Sequence, residues 1–132
     1  MLFKHIIFTL VPLVILDGVW LFSMGPTFYK KFLGHLMSAS PSWIPVVLFY
    51  ILYAIGIAVF VTLPAFRANT SYVMIFLSGA LLGLVAYGTY DFTNQATLSD
   101  WPVIVTVVDL AWGAILTGVV SVVSVYIGKL FS

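Results

Sequence analysis

The chain has 132 residues, 63% hydrophobic and 7% charged, with a net charge of +1 and a mean hydropathy of +1.20. A soluble domain carries about a quarter charged residues, so a soluble monomer is excluded and an integral membrane protein is expected. The near-neutral balance excludes a basic field for nucleic acid, and the lack of cysteine excludes disulfides and thiolate chemistry.

Four stretches reach the about 20 apolar residues that a membrane helix needs. The first, 6–24, carries one charge, Asp17. A lysine precedes it, as in a signal peptide. The apolar run is too long for an h-region, however, and no small-residue cleavage site follows, so it reads as a retained span. Gly25-Pro26-Thr27 reads as a break and an N-cap, opening an amphipathic helix over about 27–37. Phe28, Tyr29, Phe32, Leu33, Leu36 and Met37 fall on one half of its wheel, and Lys30, Lys31, Gly34 and His35 on the other. That separation suits a helix lying in the headgroup plane; a cap on the aqueous side of the bundle is the alternative.

The second span, 43–63, is uncharged, and a short loop, 64–71, holds Arg67. The third, 72–90, carries Gly79 and Gly83, a small-x-x-x-small face for close packing within the bundle. Residues 91–101 read as a polar loop, and Pro102 as the first position of the fourth span, 103–128, whose one charge is Asp109. Trp43 and Trp101 sit where interface anchors belong. Short loops make sequential spans antiparallel neighbours. The expected fold is therefore an all-α integral membrane protein: a four-transmembrane-helix up-down bundle with an interfacial amphipathic helix between spans one and two, forming a single transmembrane domain over 1–132. Lys4, Arg67 and Lys129 fall on one membrane side, A, and Lys30 and Lys31 on the other, B. The three-to-two bias points both termini to the cytoplasm.

An ionisable residue inside a span is expensive and marks a functional site by default. Asp17 lies seven residues before the end of the first span and Asp109 six after the start of the fourth. Each carboxyl is expected roughly 10 Å below side B, in one layer. Tyr50 and Tyr87 reach that layer, and Tyr90, Asp91 and Asn94 follow at its rim. Both acids open the same pattern, Asp-x-x-Trp, ending in Trp20 and Trp112. Residues three apart share a helix face, so each acid is expected beside its own indole. No cation lies in a span to pair with them, so at least one is expected to hold a proton near neutral pH. The reading is a polar cavity opening on side B, with Asp17, Trp20, Tyr50, Tyr53, Tyr87, Tyr90, Asp91, Asn94, Asp109 and Trp112 as candidate ligand- or ion-binding residues. The alternative is that the carboxyls tie helices together through Tyr50, Tyr53, Tyr87 or backbone carbonyls, in bonds worth about 1–2 kcal/mol. No residue is assigned as catalytic and no cofactor is identified. His5 and His35 fall at opposite surfaces, which argues against a metal or haem site.

The segments Asp17-Gly18-Val19-Trp20-Leu21, Phe49-Tyr50-Ile51-Leu52-Tyr53, Tyr87-Gly88-Thr89-Tyr90-Asp91-Phe92-Thr93-Asn94 and Val108-Asp109-Leu110-Ala111-Trp112-Gly113 carry a family resemblance. Over nearly its whole length the chain resembles a bacterial family of small predicted membrane proteins, catalogued as domain of unknown function number two-one-seven-seven. The resemblance implies a single domain of four spans, with a bacterial inner membrane as its expected location, and it brings no assigned activity. Three functions fit these readings: a proton- or cation-linked transporter or channel, a binding protein or enzyme for a lipid, quinone or other apolar ligand, and an accessory subunit. The expected partners are the lipid bilayer and either further copies of the chain or a larger membrane complex.

Overall fold

Each apolar stretch forms a helical rod, and most of the rods run past their apolar part. The computed structural model describes all 132 residues and contains no strand. Helix α1, Leu2–Met24, continues through a π-helical turn, Gly25–Tyr29, into α2, Lys30–Leu33, and a 3-10 turn, Gly34–Leu36. Helix α3, Trp43–Ile57, likewise passes through a π turn, Ala58–Thr62, into α4, Leu63–Ala68. Helices α5, Tyr72–Thr97, and α6, Val103–Leu130, are uninterrupted. Four of these rods are long and apolar enough to cross a membrane.

The two π turns have a common cause. Proline has no N–H and crowds the carbonyl four residues earlier. Pro26 lies inside the first π turn and Pro64 just beyond the second. A π turn shifts the hydrogen-bond register by one residue and lets the helix pass the proline without opening. The expected break at Gly25-Pro26-Thr27 is thus corrected: the backbone stays helical from Leu2 to Leu36. Its axis nevertheless bends. In a straight helix residues 20 and 29 lie about 13 Å apart on opposite faces, yet Trp20 Nε1 donates to the Tyr29 hydroxyl at 3.0 Å. The Thr27 hydroxyl bonds the Ser23 carbonyl at 2.7 Å, a back-bond that favours bending. On the bent segment Phe28, Tyr29, Phe32 and Leu33 are half-buried while Lys30 and Lys31 are exposed.

The expected polar loop 91–101 is also corrected. Helix α5 runs two turns further, to Thr97. The Thr89 hydroxyl bonds the Val85 carbonyl at 2.6 Å and the Thr97 hydroxyl bonds the Thr93 carbonyl at 2.7 Å. These side chains satisfy themselves on their own helix, so polar composition does not end it. Pro102 caps α6 from outside rather than occupying its first turn.

Helices α1 and α6 are antiparallel neighbours, joined by Thr9 and Ser124 hydroxyls at 2.8 Å. Helices α5 and α6 share the broadest contact. Glycine makes that contact close: a Cβ on Gly79 would lie 2.7 Å from the Thr117 carbonyl oxygen, and one on Gly83 would lie 2.7 Å from the Gly113 carbonyl carbon. The small-residue face therefore packs inside the bundle, as expected. Helix α3 leans on α1, and its π turn and α4 reach α5 and α6 in its place. The apolar core, built from Leu13, Ala54, Ile57, Val61, Ala65, Ile75, Leu116, Val120 and Val125, accordingly fills the side A half. Only 30 of 132 residues are buried, and exposed positions such as Phe22, Leu52, Phe60 and Val73 are large and apolar. Such a surface is stable against acyl chains rather than water.

Candidate functional site

The side B half is built differently, with aromatic side chains and two acids in place of an aliphatic core. A cleft of about 380 Å³ opens among α1, α2, α3, α5 and α6. Its polar floor is Asp17 and Asp109, and Trp20, Tyr29, Phe49, Tyr87, Tyr90, Trp101 and Trp112 supply most of the wall, with Leu21, Leu33 and Ala86.

Asp17 is 6% exposed and accepts two hydrogen bonds, from the Tyr50 hydroxyl at 2.6 Å and from Trp112 Nε1 at 3.0 Å. Asp109 is 7% exposed and accepts from the Tyr29 hydroxyl. The Tyr29 oxygen in turn accepts from Trp20 Nε1. The two indoles stack with centroids 4.3 Å apart and planes within 5°. The sequence pattern places each acid beside the tryptophan of its own Asp-x-x-Trp. The antiparallel register of α1 and α6 crosses the pairs instead: Trp112 serves Asp17, and Trp20 reaches Asp109 through Tyr29. The acids are consequently not in one layer. Asp109 lies about one turn nearer side B than Trp112 and its partner Asp17.

Asp91 departs furthest from expectation. In place of a loop at the rim, it sits on α5 with 0% exposure, and no donor reaches either carboxyl oxygen. Asp109 on α6 is its neighbouring acid. Asp109, Tyr29 and Trp20 form one polar chain from α6 to the bent end of the first rod.

The structure brings together Asp17, Trp20, Tyr50, Asp91, Asp109 and Trp112, with Tyr87 and Tyr90 in the cleft wall. Two candidates fall outside. The Tyr53 hydroxyl pairs with the Thr117 hydroxyl at 2.6 Å, deeper in the bundle, and Asn94 is not part of the wall. Six wall residues are not singled out as site residues by sequence reasoning, Leu21, Tyr29, Leu33, Phe49, Ala86 and Trp101. Tyr29 and Leu33 stand out there only as members of the apolar half of an amphipathic helix, although that half is what turns Tyr29 toward the bundle. Phe49 reads as core or lipid face. Trp101 reads as an interface anchor, but it is 9% exposed and donates to the Thr106 hydroxyl at 3.1 Å. The other expected anchor, Trp43, is exposed. No group of three His, Cys, Asp or Glu side chains converges on a point that could hold a metal ion.

The chain belongs to the family described as predicted membrane protein (DUF2177), which it matches over residues 2–126. No curated protein and no solved structure matches it.

Proposed function

We propose that this family member binds an amphipathic molecule drawn from the bilayer. The polar end sits against Asp17 and Asp109, and the apolar part lies along Phe49, Tyr87 and Trp112. The observation that carries this reading is the lining of the cleft: two buried acids set among aromatic and aliphatic side chains, inside a bundle whose outer surface is apolar. Aromatic walls with a few polar groups are the usual composition of a small-molecule site. The bent segment after α1 supports the same reading. Tyr29 and Leu33 form part of the cleft wall while Lys30 and Lys31 are exposed, the partition expected of a helix in the headgroup plane. We take the chain as one transmembrane domain in a bacterial inner membrane, with side A cytoplasmic on the three-to-two charge bias.

A second reading, a proton- or cation-linked transporter, draws on the three buried acids, Asp17, Asp91 and Asp109. It requires a path to side A. Leu13, Ile57, Leu116 and Val120 are at most 1% exposed and close that direction, so transport requires a second conformation or several copies of the chain.

The test is native mass spectrometry of the chain extracted gently from its own membrane. The expected result is a retained small molecule in the wild type and its loss in Ala86→Trp, which fills the cleft from its α5 wall. A bare wild-type chain, or equal retention by the variant, contradicts the reading. Proton flux through liposomes holding the wild type would move the assignment to transport.

A further inference from the structure

We propose that the molecule held in the cleft carries a protonated amine. This rests on the binding reading above and adds the chemistry of the ligand. The ground is the balance of charge. Every indole N–H in the wall is engaged within the protein: Trp112 on Asp17, Trp20 on Tyr29 and Trp101 on Thr106. The Tyr29 and Tyr50 hydroxyls are engaged on Asp109 and Asp17, while the Tyr87 and Tyr90 hydroxyls in the wall are left as neutral donors. What the acids lack is a cation. Asp109 takes one protein donor, on Oδ1, and Asp91 behind it takes none while fully buried. None of the donors to Asp17 or Asp109 is a lysine, arginine or histidine.

A buried acceptor without a donor is costly, and more so when it is charged. A carboxylate or phosphate would bring negative charge to a site that holds two acids and no cation, and a quinone carbonyl, which Tyr87 or Tyr90 could meet, would leave the acids unpaired. An ammonium group brings three donors and the missing positive charge. The wall suits it as well. The stacked Trp20 and Trp112, with Tyr87 and Tyr90, present aromatic π systems, which attract cations. A bare metal ion is a poor fit, because no three ligating side chains converge. An organic cation with an apolar tail satisfies the acids and the aromatic walls together.

The experiment uses the full chain in neutral detergent micelles and three probes of equal tail length: dodecylammonium, dodecanol and dodecanoate. Binding is read from the tryptophan fluorescence of wild type and Asp109→Asn. The expected result is wild-type affinity for dodecylammonium about tenfold or more above that for dodecanol, the size of a charge-assisted hydrogen bond. In Asp109→Asn this preference shrinks severalfold. Partition of the charged probe into the micelle is common to both proteins and cancels between them. Equal wild-type affinity for amine and alcohol, or tighter binding of dodecanoate, overturns the amine assignment and leaves the binding site standing. Failure of all three to bind overturns both. If Asp109→Asn does not fold, the wild-type order of the three probes decides by itself.

Discussion

At the scale of single residues, the two lining acids differ from Asp91 in who supplies their donors. Asp17 receives a tyrosine from α3 and an indole from α6, so one side chain ties three helices. Replacing it by asparagine keeps the shape but turns one acceptor oxygen into a donor facing another donor. Asp17→Asn is expected to lower stability in detergent by about 1 kcal/mol, the scale of polar bonds between membrane helices. Asp91 has no donor to lose. Asp91→Asn offers an N–H to Asp109 and is expected to leave stability unchanged or raise it. Thermal melts of the two variants followed by circular dichroism check this opposition. Equal losses would place Asp91 among the ties and not among the unsatisfied groups. The sequence made the residues legible but not their partners. Spacing along one helix gives the face a side chain occupies, which was enough to single out Asp17, Trp20, Asp109 and Trp112. Which indole meets which carboxyl depends on the register between α1 and α6, and no local pattern encodes that.

At the scale of elements, hydropathy locates four spans because each is long and apolar enough to leave no other reading. It misplaces their ends, because threonines that bond their own helix carry α5 past the apolar stretch. Gly25-Pro26 likewise reads as a break, where a π turn absorbs the proline and produces a bend. The consequence is functional: the bend returns Tyr29 to Asp109 and places Leu33 in the cleft wall. The small-residue face of α5 was legible, and its role is steric. Any Cβ on Gly83 meets the α6 backbone, which cannot rotate aside. Gly83→Ala is therefore expected to cost about 1–3 kcal/mol, as overpacking does. On α1 the opposite holds, since a Cβ added to Gly18 would meet nothing within 4 Å. Gly18→Ala is expected to be neutral or stabilising by up to about 1 kcal/mol, from helix propensity. Chemical denaturation in mixed micelles separates the two. A harmless Gly83→Ala would show that α5 and α6 pack less closely than described.

At the scale of the whole molecule, the bundle is divided into two halves of different character. The side A half is a packed core that holds the fold. The side B half holds the cleft. Composition pointed to membrane residence and the hydropathy pattern to the number of spans. The cleft was legible only as a concentration of polar residues toward side B, because its aromatic wall is assembled from all four rods and the loop before α6. The central claim is that acyl chains or a bound amphiphile occupy the side B cleft. The most direct measurement is nuclear Overhauser mapping of the chain in lipid nanodiscs, reading contacts to the Ala86 methyl and the Trp112 ring in the cleft and to the Leu116 and Val120 methyls in the core. The expected result is cross-peaks from acyl or ligand chains to Ala86 and Trp112, and none to Leu116 or Val120. Cross-peaks at Ala86 and Trp112 from water or from the protein's own side chains alone would contradict a site supplied from the bilayer.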